Sequence, residues 1–249
     1  MGWEREVVIV TGGSSGIGAA TAVAFSSEGA HVVIVGRNEA KLAAVAERCQ
    51  DPLVIRADIN QDGDVQKIID ETIKKFGQID VLVNNAGLGA VKERLIDGNV
   101  IKQYDVIMGT NLRAAIYLTS LASPYLVETK GNIINISSIA GMNSLQAGSM
   151  IYNISKAGLN NFTNCAAAEL GPMGVRVNTI SPGPVRTDIL ENSGVSDSAQ
   201  AWEAWSKVTL LNRVSEPEEI ADSILFLASS KAKSITGANI VVDNGTLRK

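Results

Sequence analysis

Two side chains capable of acid–base chemistry stand four residues apart in the segment Ile151-Tyr152-Asn153-Ile154-Ser155-Lys156. On a helix that spacing puts both on one face. A phenol holds its proton until about pH 10, so alone it is a poor acid or base at neutral pH. A nearby ammonium favours the phenolate and lowers that pKa toward the working range. Tyr152 and Lys156 are therefore a candidate proton-transfer pair. The same spacing arises by chance in many helices, so the rest of the chain must supply a reaction for the pair to serve.

A glycine turn near the N-terminus offers one. It reads Thr11-Gly12-Gly13-Ser14-Ser15-Gly16-Ile17-Gly18, follows the β-branched run Val7–Val10 and precedes an apolar-periodic helix. At a helix N-terminus the backbone N–H groups are unpaired and the dipole is positive, which suits a pyrophosphate. Gly12, Gly16 and Gly18 allow the tight turn and close backbone approach, and Ser14 and Ser15 add hydroxyl donors. An ordinary βα turn can also be glycine-rich; the position at the start of an alternating α/β chain favours nucleotide binding. The second strand ends Val35-Gly36-Arg37-Asn38. An acidic residue here would bind the 2′-OH of NAD, whereas Arg suits the 2′-phosphate of NADP. With Gly36 in place of a carboxylate and a guanidinium fork at Arg37, NADP (as NADPH) is favoured over NAD.

These residues need a scaffold, and the sequence specifies one. Strands are expected at Val7–Val10, His31–Val35, Leu53–Ala57, Asp80–Val83, Gly131–Ile136, Val175–Ile180 and Ala238–Val242. Helices are expected at Ile17–Ser27, Glu39–Arg48, Gln61–Phe76, Val100–Thr129, Tyr152–Leu170 and Glu216–Ala228, with Pro217 in a first turn where its missing N–H does no harm. Val/Ile-rich strands alternating with amphipathic helices imply an α/β fold: a doubly wound parallel sheet of about seven strands, covered on both faces. No linker, tract or repeat divides the chain, so residues 1–249 read as one domain. The small polar stretch Ser193–Ser198 is the best candidate for a mobile loop.

Composition narrows the partners. Hydrophobic residues are 45% of the 249, enough for a substantial core, and the net charge of −4 comes without a basic block. Nucleic acid and anionic membrane are thus poor partners. No secretory signal or spanning segment is present, which suggests a cytoplasmic protein. The two cysteines, Cys49 and Cys165, are far apart, and His31 is the only histidine, so no metal site is expected. Cys165, in an Ala-rich helix, reads as a packed thiol, and Asn178 and Ser181 as residues that satisfy backbone groups.

The motifs together resemble the short-chain dehydrogenase/reductase family over nearly the whole chain. Thr11–Gly18 is followed in order by Asn84-Asn85-Ala86-Gly87, Asn111, Ile136-Ser137-Ser138, Tyr152-x-x-x-Lys156 and Pro182-Gly183. The resemblance implies a single-domain Rossmann-type fold, a nicotinamide cofactor and hydride transfer between an alcohol and a carbonyl. By it, Tyr152 would be the catalytic acid or base. Lys156 would lower its pKa and hold the nicotinamide ribose, Ser138 would bond the substrate oxygen, and Asn111 would hold a water linking Lys156 to solvent. Asp58 with Ile59 would meet the adenine. Asn85, Ala86 and Gly87 would lie beside the cofactor, as would Ile17, and Pro182, Gly183, Val185 and Thr187 would embrace the nicotinamide. Ser138 precedes Tyr152 by fourteen residues, one more than the commonest family pattern, which leaves Ser137 as an alternative.

By the resemblance, the substrate would be a small carbonyl compound or alcohol. The pocket candidates Leu88, Leu145, Met150, Ile189, Trp202 and Trp205 are mainly apolar, pointing to a neutral or lipophilic compound such as a steroid, isoprenoid, retinoid or small ketone. Trp202 and Trp205 fall in a variable, substrate-covering segment of about 187–212, where they either cover the substrate or pack a small helix onto the body. Arg94, Arg113 and Arg186 are open candidates for gripping an anionic group. The resemblance also implies a homo-oligomer, a tetramer in preference to a dimer, joined through the helices at Tyr152–Leu170 and Val100–Thr129.

Overall fold

A computed structural model describes residues 3–89, 94–98, 100–143, 148–189 and 198–248. Its strands are β1 (Val7–Thr11), β2 (His31–Gly36), β3 (Leu53–Arg56), β4 (Val81–Asn84), β5 (Asn132–Ile136), β6 (Arg176–Pro182) and β7 (Asn239–Val242). They form one parallel sheet in the order β3-β2-β1-β4-β5-β6-β7. The order reverses between β1 and β4, and in such sheets ligands bind outside the carboxyl ends at that switch point. Both the glycine turn and Asn84–Gly87 leave the sheet there.

The described helices are α1 (Gly16–Ser27), α2 (Glu39–Ala46), α3 (Asp62–Phe76), α4 (Val100–Met108), α5 (Ala114–Thr129), α6 (Met150–Leu170), α7 (Ser198–Ser206) and α8 (Pro217–Ala228). Alternate strand residues feed two cores, as the pleat requires. Val8, Val10, Val32 and Ile34 pack with Phe25 of α1, Leu42 of α2 and Ile220 and Ile224 of α8. Val7, Ile9, Val33 and Val35 pack on the opposite face with Ile68 of α3, Leu118 and Leu126 of α5 and Leu170 of α6. The central strands are buried on both faces; the outer strands are not, and Val54 and Val241 are exposed.

The expected elements are all present, with one change of form. The helix expected across Val100–Thr129 contains a π turn, Gly109–Arg113, between α4 and α5. Other details were also misjudged. Cys165 lies on the exposed side of α6 and is not packed. Asn178 does bond backbone groups, at Ile235 O (2.9 Å) and Ala238 N (3.1 Å), but the buried Ser181 hydroxyl has no partner among the described residues. His31 is exposed and stacks on Phe76. Residues 190–197, including most of the Ser193–Ser198 stretch, and Leu145 lie outside the described residues. No described helix is long and apolar enough to cross a membrane.

Candidate active site

The helix α6 presents Tyr152 and Lys156 on one face, as their spacing requires. Ser138, just beyond the end of β5, hydrogen-bonds Tyr152, and its Oγ also accepts from Ala140 N at 3.1 Å. Ser137 takes a different part: its Oγ donates to Lys156 O at 3.0 Å and is buried. The extra residue between Ser138 and Tyr152 therefore leaves Ser138, not Ser137, against the phenol.

The electrostatics depart from the expectation that Lys156 lowers the Tyr152 pKa. Burial pushes the Tyr152 pKa up, opposed by the bond to Ser138. Lys156 Nζ lies 5.9 Å from the Tyr152 ring centroid and donates instead to Ile136 O at 2.9 Å. Burial lowers the pKa of Lys156 from 10.5 to about 8. Desolvation disfavours the charged form of each group and is the leading cause of both shifts.

Asn111 sits in the π turn and is 1% exposed. Its Oδ1 accepts from Leu88 N at 2.7 Å, and its Nδ2 donates to Leu88 O at 3.0 Å and to Ser155 Oγ at 3.1 Å. Ser155 Oγ in turn donates to Tyr152 O at 2.7 Å. A Cβ placed on Gly87 would lie 3.3 Å from Asn111 Oδ1 and 3.5 Å from Lys156 Nζ, so both polar atoms border one point. Single-turn π bulges of this kind recur at functional sites because the inserted residue re-aims a side chain.

The glycine turn is built for close approach. Gly12 and Gly16 have φ of 65° and 52°, and a Cβ on Gly18 would fall 2.2 Å from Gly12 O. Asn85 anchors this turn: its N–H donates to Thr11 Oγ1 at 3.0 Å and its Nδ2 to Thr11 O at 2.9 Å. Ala86 N donates to the same hydroxyl at 3.1 Å. Thr187 closes the far side, since a Cβ on Gly16 would meet the Thr187 methyl at 2.8 Å. Pro182 ends β6, a Cβ on Gly183 would meet Asp243 Cα at 2.7 Å, and Val185 bridges to Ser215.

The profile of the enoyl-(acyl carrier protein) reductase family matches residues 12–246. A 3-oxoacyl-[acyl-carrier-protein] reductase of Thermotoga maritima is 32% identical over 97% of this chain and 98% of its own. The chain belongs to the short-chain dehydrogenase/reductase family. An L-fucose dehydrogenase of Rattus norvegicus is 36% identical over 98% of this chain and 90% of its own. A short-chain dehydrogenase/reductase from Caenorhabditis elegans, solved with cofactor, superposes with a TM-score of 0.91 at 34% identity, covering 98% of this chain and 96% of that one. The chain is thus an oxidoreductase of a family that uses nicotinamide dinucleotides.

The residues present fit such a cofactor. The first turn of α1 contains no acidic residue, and the Ser15 side chain makes no cap hydrogen bond, so amides and hydroxyl are left to an anion. A Cβ on Gly36 would already lie 3.3 Å from Ser14 Cβ, so an acidic side chain there would crowd Ser14. Arg37 is exposed, and the ion pairs among the described residues do not engage it. Asp58 Oδ1 accepts from Asn60 N at 3.0 Å, and Ile59 packs against the core beneath.

Of the pocket candidates, Leu88 is held by Asn111, and Met150 begins α6. Trp202 is buried and packs with Val214, Ile189 and Trp205, which fixes α7 to the body. Arg113 and Arg186 are taken up by Asp62 and Glu216.

Several contacts beneath and beside the site join residues whose pairing the sequence did not show. Asn84 Nδ2 donates to Thr119 Oγ1 (3.1 Å) and Asn135 Oδ1 (2.9 Å), and Asn135 Nδ2 donates to Thr163 Oγ1 at 2.8 Å. This buried row ties β4 and β5 to α5 and α6 beneath the site. Lys41, in the first turn of α2, forms an ion pair with Asp188, beside Thr187, across 147 residues of sequence. Only polar residues on strand interiors hinted at the first, and nothing hinted at the second.

Proposed function

We propose that this chain is an NADP(H)-dependent oxidoreductase that transfers a hydride between the nicotinamide and a neutral or lipophilic ketone or the matching secondary alcohol. The observation that carries the reading is the Tyr152–Ser138 hydrogen bond with Lys156 buried beside it. A bound nicotinamide dinucleotide supplies or accepts the hydride. In reduction, Ser138 and Tyr152 hydrogen-bond the carbonyl oxygen as negative charge develops there, and Tyr152 gives up its proton to that oxygen. The raised Tyr152 pKa keeps that proton in place until the oxygen calls for it. Lys156 holds the ribose hydroxyls, and Asn111 keeps the route from Lys156 to solvent in register. In oxidation the same groups run in reverse, with Tyr152 as base.

The absence of a carboxylate at Gly36 and the exposed Arg37 support the 2′-phosphate of NADP, and NADPH commonly feeds reductions. Leu88, Met150 and Ile189, with Arg113 and Arg186 already paired, support an uncharged substrate. The remaining cofactor contacts come from Gly12, Ser14, Ile17, Asp58, Asn85, Pro182, Gly183, Val185 and Thr187. Exposed Ile101, Tyr104, Val106, Ile116 and Ile154 on α4, α5 and α6 support a homotetramer joined through those helices. Two free cysteines agree with a reducing, cytoplasmic setting.

The test is NADPH consumption over a panel of ketones by the chain and by Tyr152→Phe. Turnover should fall by about 10²–10⁴ in the variant, with NADPH binding, followed by its fluorescence, retained. Normal turnover by Tyr152→Phe would remove the catalytic assignment.

A further inference from the structure

Side chains that the reaction above does not use join the loop after β3 to the π turn that carries Asn111. Asn60 Nδ2 donates to Thr110 Oγ1 at 2.9 Å, and Thr110 Oγ1 donates to Val106 O at 3.1 Å. Asn60 also donates to Asp58 Oδ1 from its backbone N–H (3.0 Å) and its side-chain amide (3.3 Å). The two segments meet closely, since a Cβ on Gly109 would lie 3.0 Å from Asn60 Oδ1. Farther along, Arg113 forks onto both carboxylate oxygens of Asp62 at 2.8 and 3.0 Å. Thr110 itself is buried.

A π turn holds one residue more than an α-helix would, and its hydrogen bonding is poorer, so something must select that register. Slipping by one residue would rotate Asn111 by about 100° around the helix axis, away from Leu88 and Ser155. On the inner side Asn111 grips both polar backbone atoms of Leu88. On the outer side the contacts of Asn60 and Asp62 hold the turn. The result is an unbroken path: Asp58, Asn60, Thr110, Asn111, Ser155 and the Tyr152 carbonyl.

We propose that Asn60 and Thr110 are positioning residues: they hold the π turn in register and transmit occupancy of the adenosine end of the cleft, at Asp58, to Asn111 and the Tyr152–Lys156 pair. The proposal rests on the reading of Asp58 as the residue facing the adenine. Coupling of this kind requires a continuous physical link and a measurable effect at its far end. The hydrogen-bonded path supplies the link, and its far end has a reporter, because the Leu88 N–H is held by Asn111 Oδ1 at 2.7 Å.

The experiment adds 2′,5′-ADP, which carries only the adenosine end of the cofactor, to the full chain and follows hydrogen exchange at Leu88. Exchange should slow by about fivefold, the equivalent of one neutral hydrogen bond, in the parent and in Thr110→Ser. It should be unchanged in Asn60→Ala, whose side chain is exposed, and in Thr110→Val. The kinetic arm measures kcat against pH with saturating NADPH. In Asn60→Ala the basic limb should move to lower pH, because Asn111 Oδ1, an acceptor that lines the same space beside Gly87 as Lys156 Nζ, is turned away, while Thr110→Ser keeps the parent profile. Equal protection in parent and Asn60→Ala, or an unmoved basic limb, overturns the positioning role. If 2′,5′-ADP binds without protecting Leu88 in the parent, this proposal fails alone. If 2′,5′-ADP does not bind, the adenosine reading fails and this proposal with it; the role of Tyr152 stands on its own turnover test.

Discussion

Replacing Lys156 with methionine should stabilise the folded chain while ending its chemistry. Lys156 is 5% exposed, and burial lowers its pKa from 10.5 to about 8. At about 1.4 kcal/mol per tenfold, that difference corresponds to roughly 3 kcal/mol spent on keeping a charged amine in the fold at neutral pH. Methionine keeps most of the length and apolar stem but gives up the bond from Nζ to Ile136 O. Losing that charge-assisted bond costs about 1.5–2 kcal/mol, leaving a net gain of about 1–1.5 kcal/mol, or a Tm higher by roughly 2–6 °C. The sign of the pH dependence follows from proton counting. Between about pH 8 and 10.5 the folded chain has released the Lys156 proton and the unfolded chain still binds it. Parent stability therefore rises with pH across that window, and the variant lacks this rise. The gap should be full below about pH 8 and close above it. Tyr152 titrates alike in first approximation in both proteins and drops out of the comparison. Urea denaturation followed by circular dichroism, at fixed protein concentration and at about pH 6.5, 7.5 and 9.5, reads the gap directly. A variant no more stable than the parent at the lowest pH, or a gap that does not narrow, would refute the reasoning. Loss of turnover beside a gain in stability is the signature of a group held at a cost for function.

Two further outcomes check the cofactor and the scaffold. Arg37→Ala should weaken NADPH by about 10–100-fold, the range of a charge-assisted hydrogen bond, and leave NADH nearly unchanged; equal losses in fluorescence titrations would sink the 2′-phosphate reading. Asn135→Ala should cost about 2–4 kcal/mol, because it opens a cavity and strands donors and acceptors on Asn84 and Thr163. A loss under about 1 kcal/mol in urea titration would show that the buried row is not holding β4 and β5 to α5 and α6.

Much of the fold was legible because parallel strands buried on both faces read as near-continuous apolar runs, and Val7–Val10 of β1, Val32–Val35 of β2 and Val81–Val83 of β4 do. The π turn was not legible, since the weak helix formers Gly109, Thr110 and Asn111 do not distinguish a π turn from an α-helix, and its register is chosen by partners distant in sequence. Cys165 was misread because its neighbours in α6 are small and apolar, and only the packing of the helix shows which side is covered. The roles of Ser137 and Ser138 could not be separated by spacing. The contacts of Lys156 O and Tyr152 with the two hydroxyls distinguish them.

By itself the amino-acid order determined the local matters. These are the glycines that can take φ above zero, the helix face shared by Tyr152 and Lys156, the missing carboxylate at Gly36 and the alternation that builds a covered parallel sheet. All follow from backbone sterics and periodicity, which act over a few residues. Tertiary structure alone decided the electrostatics and the long-range ties. Desolvation depends on everything packed around a group, so the sequence suggested that Lys156 would lower the Tyr152 pKa, whereas burial raises the one and lowers the other. The Lys41–Asp188, Asn60–Thr110 and Asn84–Asn135 contacts join residues 147, 50 and 51 positions apart, and only the folded chain brings such partners together.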